Sequence, residues 1–343
     1  MKTWGFFLFT INKLYDKTKD VLFKIYLTRR ASMKVIALGA SSAFSAGKPI
    51  YDNISKKKLF EPQWQSNFLI EFNQPNIRNG ESPYRLLLDI GSDIKNSLAY
   101  QEMNFNMIDG VHITHCHNDH IGGIEGLGLS TFFNPFYSKK KSEWCSNKGV
   151  INRILKVGLL GLYRMPDGMK PEVYGHKDVL RDLWKTAKQG FNTIQGVLYN
   201  NFEIFFTKKL LTVNSKNMHF VDGDKTWEGI IVKSKHVLAG NKPMPSYGIM
   251  FISSKGEKIF FPSDSQIVTK SDSNYHYYKE ADVIFADCET SPFKSGIHAH
   301  EKEHREIDDC ITKKEILYHY QTEPNNIDGK FKGVAKIGDV WEF

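Results

Sequence analysis

Within Thr114-His-Cys-His-Asn-Asp-His-Ile-Gly-Gly123, three histidines and an aspartate occupy the six positions from His115 to His120. Imidazole nitrogens and carboxylate oxygens are the ligand types zinc favours, and the harder carboxylate also suits manganese. The preceding Gly110-Val-His-Ile-Thr114 reads as an apolar strand, so the cluster falls in the loop beyond its end. There His115 and His117 both point inward while Cys116 points away, and Asp119 with His120 faces a second point beside the first. Buried charged groups rarely go unpaired, so this density of ligands predicts bound metal, with room for two ions.

The elements that must hold such a loop are short β-rich runs between turns. Lys34-Val-Ile-Ala-Leu38 leads into a small-residue loop, Gly39 to Gly47, and Phe68-Leu-Ile-Glu-Phe72 and Arg85-Leu-Leu-Leu-Asp89 follow. A helix is expected from Ile121 toward Leu129. Then the rhythm breaks: Lys139, Lys140, Lys141, Lys148, Arg153, Lys156, Arg164 and Lys170 face few acids, which marks about 130–170 as a basic insertion. Patterning resumes with a strand at 171–174, a helix at 178–189, strands around Val232 and at 247–253, 258–261, 283–286 and 315–318, and a helix at 301–310. This alternation predicts a layered α/β architecture. Residues 1–32 stand apart as an N-terminal extension, with Leu14, Val21, Leu22 and Ile25 near helical spacing, and 33–343 read as one domain.

A chain of 343 residues with 41% hydrophobic and 13% aromatic side chains buries a core, which excludes disorder. Cys116, Cys145, Cys288 and Cys310 are scattered without a CxxC pair, as expected of reduced thiols rather than a disulfide scaffold. A net charge of +8 biases the surface toward anionic partners such as nucleotides and nucleic acid. The apolar Trp4–Ile11 soon meets Lys13, Asp16 and Lys17 without a small-residue cleavage site, and no stretch approaches the roughly 20 apolar residues of a membrane span. A cytoplasmic protein without stable membrane insertion is expected.

His115-x-His117-x-Asp119-His120 followed by Ile-Gly-Gly resembles the signature loop of the metallo-β-lactamase superfamily, and Leu86-Leu-Leu-Asp89-Ile-Gly91 is similar to the strand before it. The resemblance implies an α/β, four-layer αββα fold carrying the basic insertion, with Asp89 supporting the metal loop rather than ligating. Ser234-Lys-His236 and Pro245-Ser-Tyr-Gly-Ile-Met-Phe251 resemble the histidine and following strand of ribonuclease Z-like phosphodiesterases. Lys258-Ile-Phe-Phe-Pro-Ser-Asp264 and Ile316-Leu-Tyr-His319 resemble two later strands of that branch. By this resemblance His115, His117 and His236 hold one metal, Asp119, His120 and His319 a second, and Asp264 bridges them. Ala286-Asp-Cys-Glu-Thr290 with His298-Ala-His300 resembles the region of the catalytic histidine, which the family's Ala-His pair assigns to His300, although Glu301 stands where the family has a small hydroxyl residue. Asp119 and His300 are thus the expected catalytic residues. His112, His176, His219, His276 and His304 read as ordinary polar positions.

The implied chemistry is hydrolysis of a nucleotide phosphodiester, in a cyclic nucleotide or RNA, by a hydroxide held between two divalent ions, zinc or manganese. No Gly-Pro-rich arm of the kind ribonuclease Z uses for tRNA is evident, which favours a small cyclic nucleotide, as in the phosphodiesterases phages use against cyclic-pyrimidine signalling. Phe132, Phe133, Phe136, Tyr137 and Trp144 of the insertion serve either base stacking or packing. The alternatives are a carbonyl-ester hydrolase (a lactonase or thioesterase) on the same fold, and a nucleotide-binding relative without turnover. Many members of the branch are dimers, so the resemblance also implies a homodimer.

Overall fold

Asn67–Phe72 buries five of its six residues, and a strand covered on both faces needs a layer on each side. The computed structural model supplies those layers; it describes residues 33–43, 48–51, 58–157, 165–192, 201–238, 242–324, 326 and 328–343. The N-terminal extension expected at 1–32 lies outside the described residues.

Seven strands form one mixed sheet in the order Val340–Glu342, Lys34–Gly39, Asn67–Phe72, Tyr84–Leu88, Gly110–His112, Glu172–His176 and Thr207–Leu211. Neighbours are antiparallel as far as Tyr84–Leu88 and parallel from there on. A second sheet runs Gly333–Val334, Glu315–Tyr318, Val283–Asp287, Lys258–Phe261, Tyr247–Ser253, Lys225–Lys233 and Lys216–Asp222. Its first four strands are mutually parallel and the rest antiparallel.

Alternation along the second sheet sorts its side chains into two cores. Ile249, Phe251, Ile259, Phe261, Phe285, Ile316 and Tyr318 face the first sheet, while Met250, Phe260, Ile284, Ala286 and Leu317 face outward onto Tyr278 and Ile311. Between the sheets the Phe68 ring meets Phe261, Phe285 and Tyr318 edge-on at 5.2–5.4 Å, and Phe72 stacks on Phe220 at 4.0 Å. Truncating such a ring to alanine costs about 3–5 kcal/mol. Helices Ile94–Tyr100 and Lys177–Ala187 contact the first sheet and Tyr275–Glu280 the second, giving the four-layer αββα arrangement. No helix among the described residues is long and apolar enough to cross a membrane.

Within 130–170 the chain forms Lys139–Cys145 and Asn147–Val157 after the helix Ile124–Phe133. Its aromatic residues divide: Tyr137 is buried, its hydroxyl donating to the Ile108 carbonyl at 2.7 Å, whereas Phe133 and Phe136 are exposed. Trp144 lies under the Arg153 guanidinium, 3.6 Å from the ring centre. The helix expected over 301–310 is two pieces, Glu301–His304, capped by His300, and Asp309–Thr312.

The parallel strands of both sheets matter most for the site. Their C-terminal ends and the loops leaving them carry Asp287, the last residue of its strand, and Asp89, His115, Asp264 and His319 just beyond theirs, the place where α/β sheets present functional groups.

Candidate metal centre

The loop after Gly110–His112 closes into a single helical turn, Asn118–Ile121, that brings Asp119 and His120 back toward His115. Gly91 makes room for it, since a Cβ there would stand 2.3 Å from the Asp119 carbonyl oxygen. Asp89, in the left-handed region at φ 61°, anchors the loop. Its Oδ1 accepts from Thr114 N at 2.8 Å, and its Oδ2 accepts from Thr114 Oγ1 and faces His120 Nδ1, both at 2.7 Å. Thr114 Oγ1 also lies 3.1 Å from His115 Nδ1. With the Nδ1 atoms of His115 and His120 engaged, each Nε2 is left for the centre, an arrangement that fixes ligand orientation.

Among the described residues three groups of ligand atoms form, each within 4.8 Å: His115, His117, His236 and Asp264; Asp119, His120, Asp264 and His319; and Asp264, Asp287, His298 and His319. Asp264 belongs to all three. Its Oδ2 is 3.2 Å from His120 Nε2 and 3.6 Å from both His115 Nε2 and His319 Nε2. Asp119 Oδ2 stands 3.2 Å from His319 Nε2 and 3.4 Å from His120 Nε2. All seven residues expected as ligands are therefore brought together.

Their chemistry fits divalent cations. Both ring nitrogens of His236, His120 Nε2 and Asp264 Oδ1 are buried without a hydrogen-bond partner among the described residues, which is costly unless something else satisfies them. Burial and the neighbouring His120 push His115 well below the ordinary histidine range, and burial pushes His236 down to about 4. Burial favours the neutral forms of Asp119 and Asp264, yet His120 and His319 together outweigh it and hold both carboxyls far below their usual range. His115 and His236 are thus held neutral and Asp119 and Asp264 ionised, as ligation requires, while against burial the carboxylates raise His120 and His319, whose protons a bound cation would displace.

His300 is not at this centre. Its Nδ1 accepts from Lys302 N at 3.1 Å, which puts the ring proton on Nε2, donated to the Ser291 carbonyl at 3.0 Å. Both nitrogens are thus spent, Nδ1 on capping the helix Glu301–His304 and Nε2 on the loop before it. The histidine at the centre is His298, with Nδ1 2.8 Å from Asp287 Oδ2 and 3.9 Å from Asp264 Oδ2. Burial opposes charge on His298, but Asp287 and Asp264 together override it and raise its pKa.

Asp287 escaped the sequence reading. Its Oδ2 also accepts from Ser265 N at 2.9 Å, and its Oδ1 stands 3.2 Å from His319 Nδ1. It does for His319 and His298 what Asp89 does for His120. The signal was present: Val283-Ile-Phe-Ala-Asp287 ends an apolar strand in an acid, as Arg85-Leu-Leu-Leu-Asp89 does. His304 is also more than an ordinary polar residue, being buried between Glu315 Oε2, 3.1 Å from Nδ1, and the Asp287 carbonyl oxygen, 2.8 Å from Nε2. His112 is buried with neither ring nitrogen bonded among the described residues, and burial pushes it down to about 4. His176 caps the helix Lys177–Ala187, and His219 and His276 are exposed.

Comparison with known proteins follows the same lines. A family model described as anti-Pycsar protein Apyc1 matches residues 33–160 and 156–338. The anti-Pycsar protein Apyc1 of Bacillus phage 010DV004 is 25% identical over 271 residues, 79% of this chain and 81% of the relative. That of Paenibacillus harenae is 23% identical over 273 residues, 77% of this chain and 90% of the relative. Among solved structures, the metallo-β-lactamase fold protein YhfI from Bacillus subtilis aligns with TM-score 0.54 and 16% identity over 92% of this chain and all of that one. The short form of human tRNase Z aligns with TM-score 0.51 and 14% identity over 90% of this chain and 98% of that one. The fold is that of the metallo-β-lactamases.

Proposed function

The chain belongs to the anti-Pycsar protein Apyc1 family, and from that premise we propose that it is a metal-dependent phosphodiesterase that opens a cyclic nucleotide, a cyclic pyrimidine nucleotide above others. The observation that carries this reading is the sharing of Asp264 by three overlapping ligand groups with His298 at their border. Two divalent cations, zinc for preference with manganese accepted on the carboxylate-rich side, would lower the pKa of a water and neutralise charge on the phosphoryl oxygens.

The chain's own residues do the rest. His115, His117 and His236 offer one cation three imidazoles, Asp119, His120 and His319 offer the other a mixed set, and Asp264 faces both. His298, its Nδ1 held by Asp287, keeps Nε2 for the substrate and donates a proton to the leaving alkoxide, a role worth roughly 10²–10⁴-fold in rate. The relatives' name, which sets them against Pycsar, supports a nucleotide substrate, as does the chain's net charge of +8. The reading includes a homodimer, and sedimentation at a single chain's 39.4 kDa would remove that part.

The test is hydrolysis by metal-reconstituted protein of cyclic mononucleotides, bis-p-nitrophenyl phosphate, a pre-tRNA, a lactone and a thioester, with Asp119→Ala as control. The expected result is phosphodiester turnover, highest on a cyclic nucleotide and lost in the variant. Lactone or thioester turnover without phosphodiester cleavage assigns carbonyl-ester chemistry instead. Nucleotide binding without turnover, unchanged in Asp119→Ala, assigns a binding protein.

A further inference from the structure

The segment from Glu289 to Glu301 is a loop closed on itself, and Glu289 closes it twice. Its backbone N donates to the Ala299 carbonyl at 2.8 Å, and its carbonyl accepts from Glu301 N at 2.9 Å, which joins the two feet of the loop. Its side chain then reaches into the middle. Oε1 accepts from Ser291 Oγ at 2.8 Å, and Oε2 accepts from Ser295 N and Ser295 Oγ, each at 2.9 Å. Gln266 Nε2 adds a bond to the Gly296 carbonyl from outside the loop.

Glu289 is 4% exposed, and no ion pair with it is present among the described residues. Burying a carboxylate on neutral donors alone is costly, so the strap must secure something worth the expense. What the loop carries to the centre is His298, three residues beyond Ser295 and one before the bonded Ala299. Asp287 fixes only the ring of that histidine, through one contact at Nδ1. The backbone that sets where the ring begins is held at Ala299 by Ser265, whose carbonyl accepts from Ala299 N at 2.8 Å, and along the rest of the loop by Glu289. A reacting group displaced by about 1 Å loses on the order of 10²-fold in rate.

We propose that Glu289 is a positioning residue that holds the 290–298 loop so that His298 meets the leaving-group oxygen. The proposal rests on the reading of His298 as proton donor. A purely structural role would slow every substrate alike; a role through His298 depends on the leaving group. A nucleoside alkoxide needs a proton as it departs, whereas p-nitrophenolate leaves without one.

The experiment measures kcat and KM of Glu289→Ala, Glu289→Gln, Ser295→Ala and His298→Ala on a cyclic nucleotide and on bis-p-nitrophenyl phosphate, with metal content and Tm for each variant. Glu289→Ala is expected to lower kcat on the cyclic nucleotide by roughly 10–100-fold and on the nitrophenyl ester by less than about 3-fold, with KM little changed. Glu289→Gln, whose carbonyl oxygen still accepts from Ser295, restores kcat to within about 3-fold of wild type. Combined with His298→Ala, the Glu289→Ala change costs nothing further, because both act through one group. Should Glu289→Ala lose metal or fold, Ser295→Ala carries the test, with the same split on a smaller scale. Equal slowing on both substrates by whichever variant keeps its metal and fold, or full additivity with His298→Ala, overturns the role of Glu289. If His298→Ala itself slows both substrates equally, the proton-donor reading fails first and takes this inference with it.

Discussion

The two halves of the centre are built in opposite ways. The half from the first sheet is one loop, His115 to His120, with four candidate ligands in six positions and its support, Asp89 and Thr114, on the adjoining strand ends. The half from the second sheet has no such loop: Asp264, Asp287, His298 and His319 come from separate segments, and pairing such as Asp287 with Tyr318 sets their spacing. A self-contained loop keeps its geometry by local hydrogen bonds, whereas a centre gathered from strand ends inherits its geometry from the register of the whole sheet. Both halves carry backbone strain, with Asp89 at φ 61° on one side and Ser263 at 64° and His319 at 65° on the other.

The comparison breaks most sharply at Asp264, the second-sheet residue that shares ligand groups with the first-sheet loop. Asp264→Ala is expected to strip both cations and lower kcat/KM by roughly 10³-fold or more, while His236→Ala keeps about one equivalent of metal; elemental analysis of the purified variants decides it. One equivalent retained by Asp264→Ala would mean that the halves do not depend on a shared ligand. A step smaller, Asp89→Ala and Asp287→Ala should each weaken metal affinity by about 10–100-fold. Competition with a chelator measures this, and only Asp287→Ala should also slow alkoxide leaving groups selectively.

Smaller again is the pH response of the second-sheet half. Burial opposes charge on His304, but Glu315 and Asp287 together override it and raise the pKa. A folded-state pKa above the unfolded value, about 6.5, means that the stabilisation is full below that value and fades as pH rises through the folded pKa. The Tm difference between wild type and His304→Gln should therefore shrink as pH rises past neutrality; a difference that grows would reverse the sign of the coupling. Smallest is Ser263→Gly, which relieves a left-handed serine and should raise stability by at most about 1 kcal/mol in chemical denaturation.

How much of this was legible follows the same division. The loop His115–His120 could be read because its ligands are adjacent in sequence. Tyr247–Ser253, Lys258–Phe261 and Glu315–Tyr318 fall where their apolar runs placed them, since a strand buried on both faces has few other readings. Thr207–Leu211 and Lys216–Asp222 escaped notice because each lies at an outer edge of its sheet and turns lysine, asparagine or histidine to solvent. His298 and His300 are two apart and share a side of an extended chain, so spacing could not separate them. The folded chain does: the helix that begins at Glu301 takes Nδ1 of His300 for its cap, and the Ser291 carbonyl takes Nε2. That choice is made by hydrogen bonds to Ser291 and Lys302, which no periodicity announces.

The pairing of Ile36 with Val340, and the bond from His319 N to the Ala40 carbonyl at 2.7 Å, tie early chain to late chain. During synthesis, strand Lys34–Gly39 emerges from the ribosome long before its outer neighbour, and the loop His115–His120 long before His319. A nascent chain thus holds an open-edged sheet and a half-built cluster of histidines until the segments with His319 and Val340 arrive. Metal capture at the complete centre must in consequence wait for the segment that carries His319, and a chain grown only as far as the loop His115–His120 has no competent site with which to act.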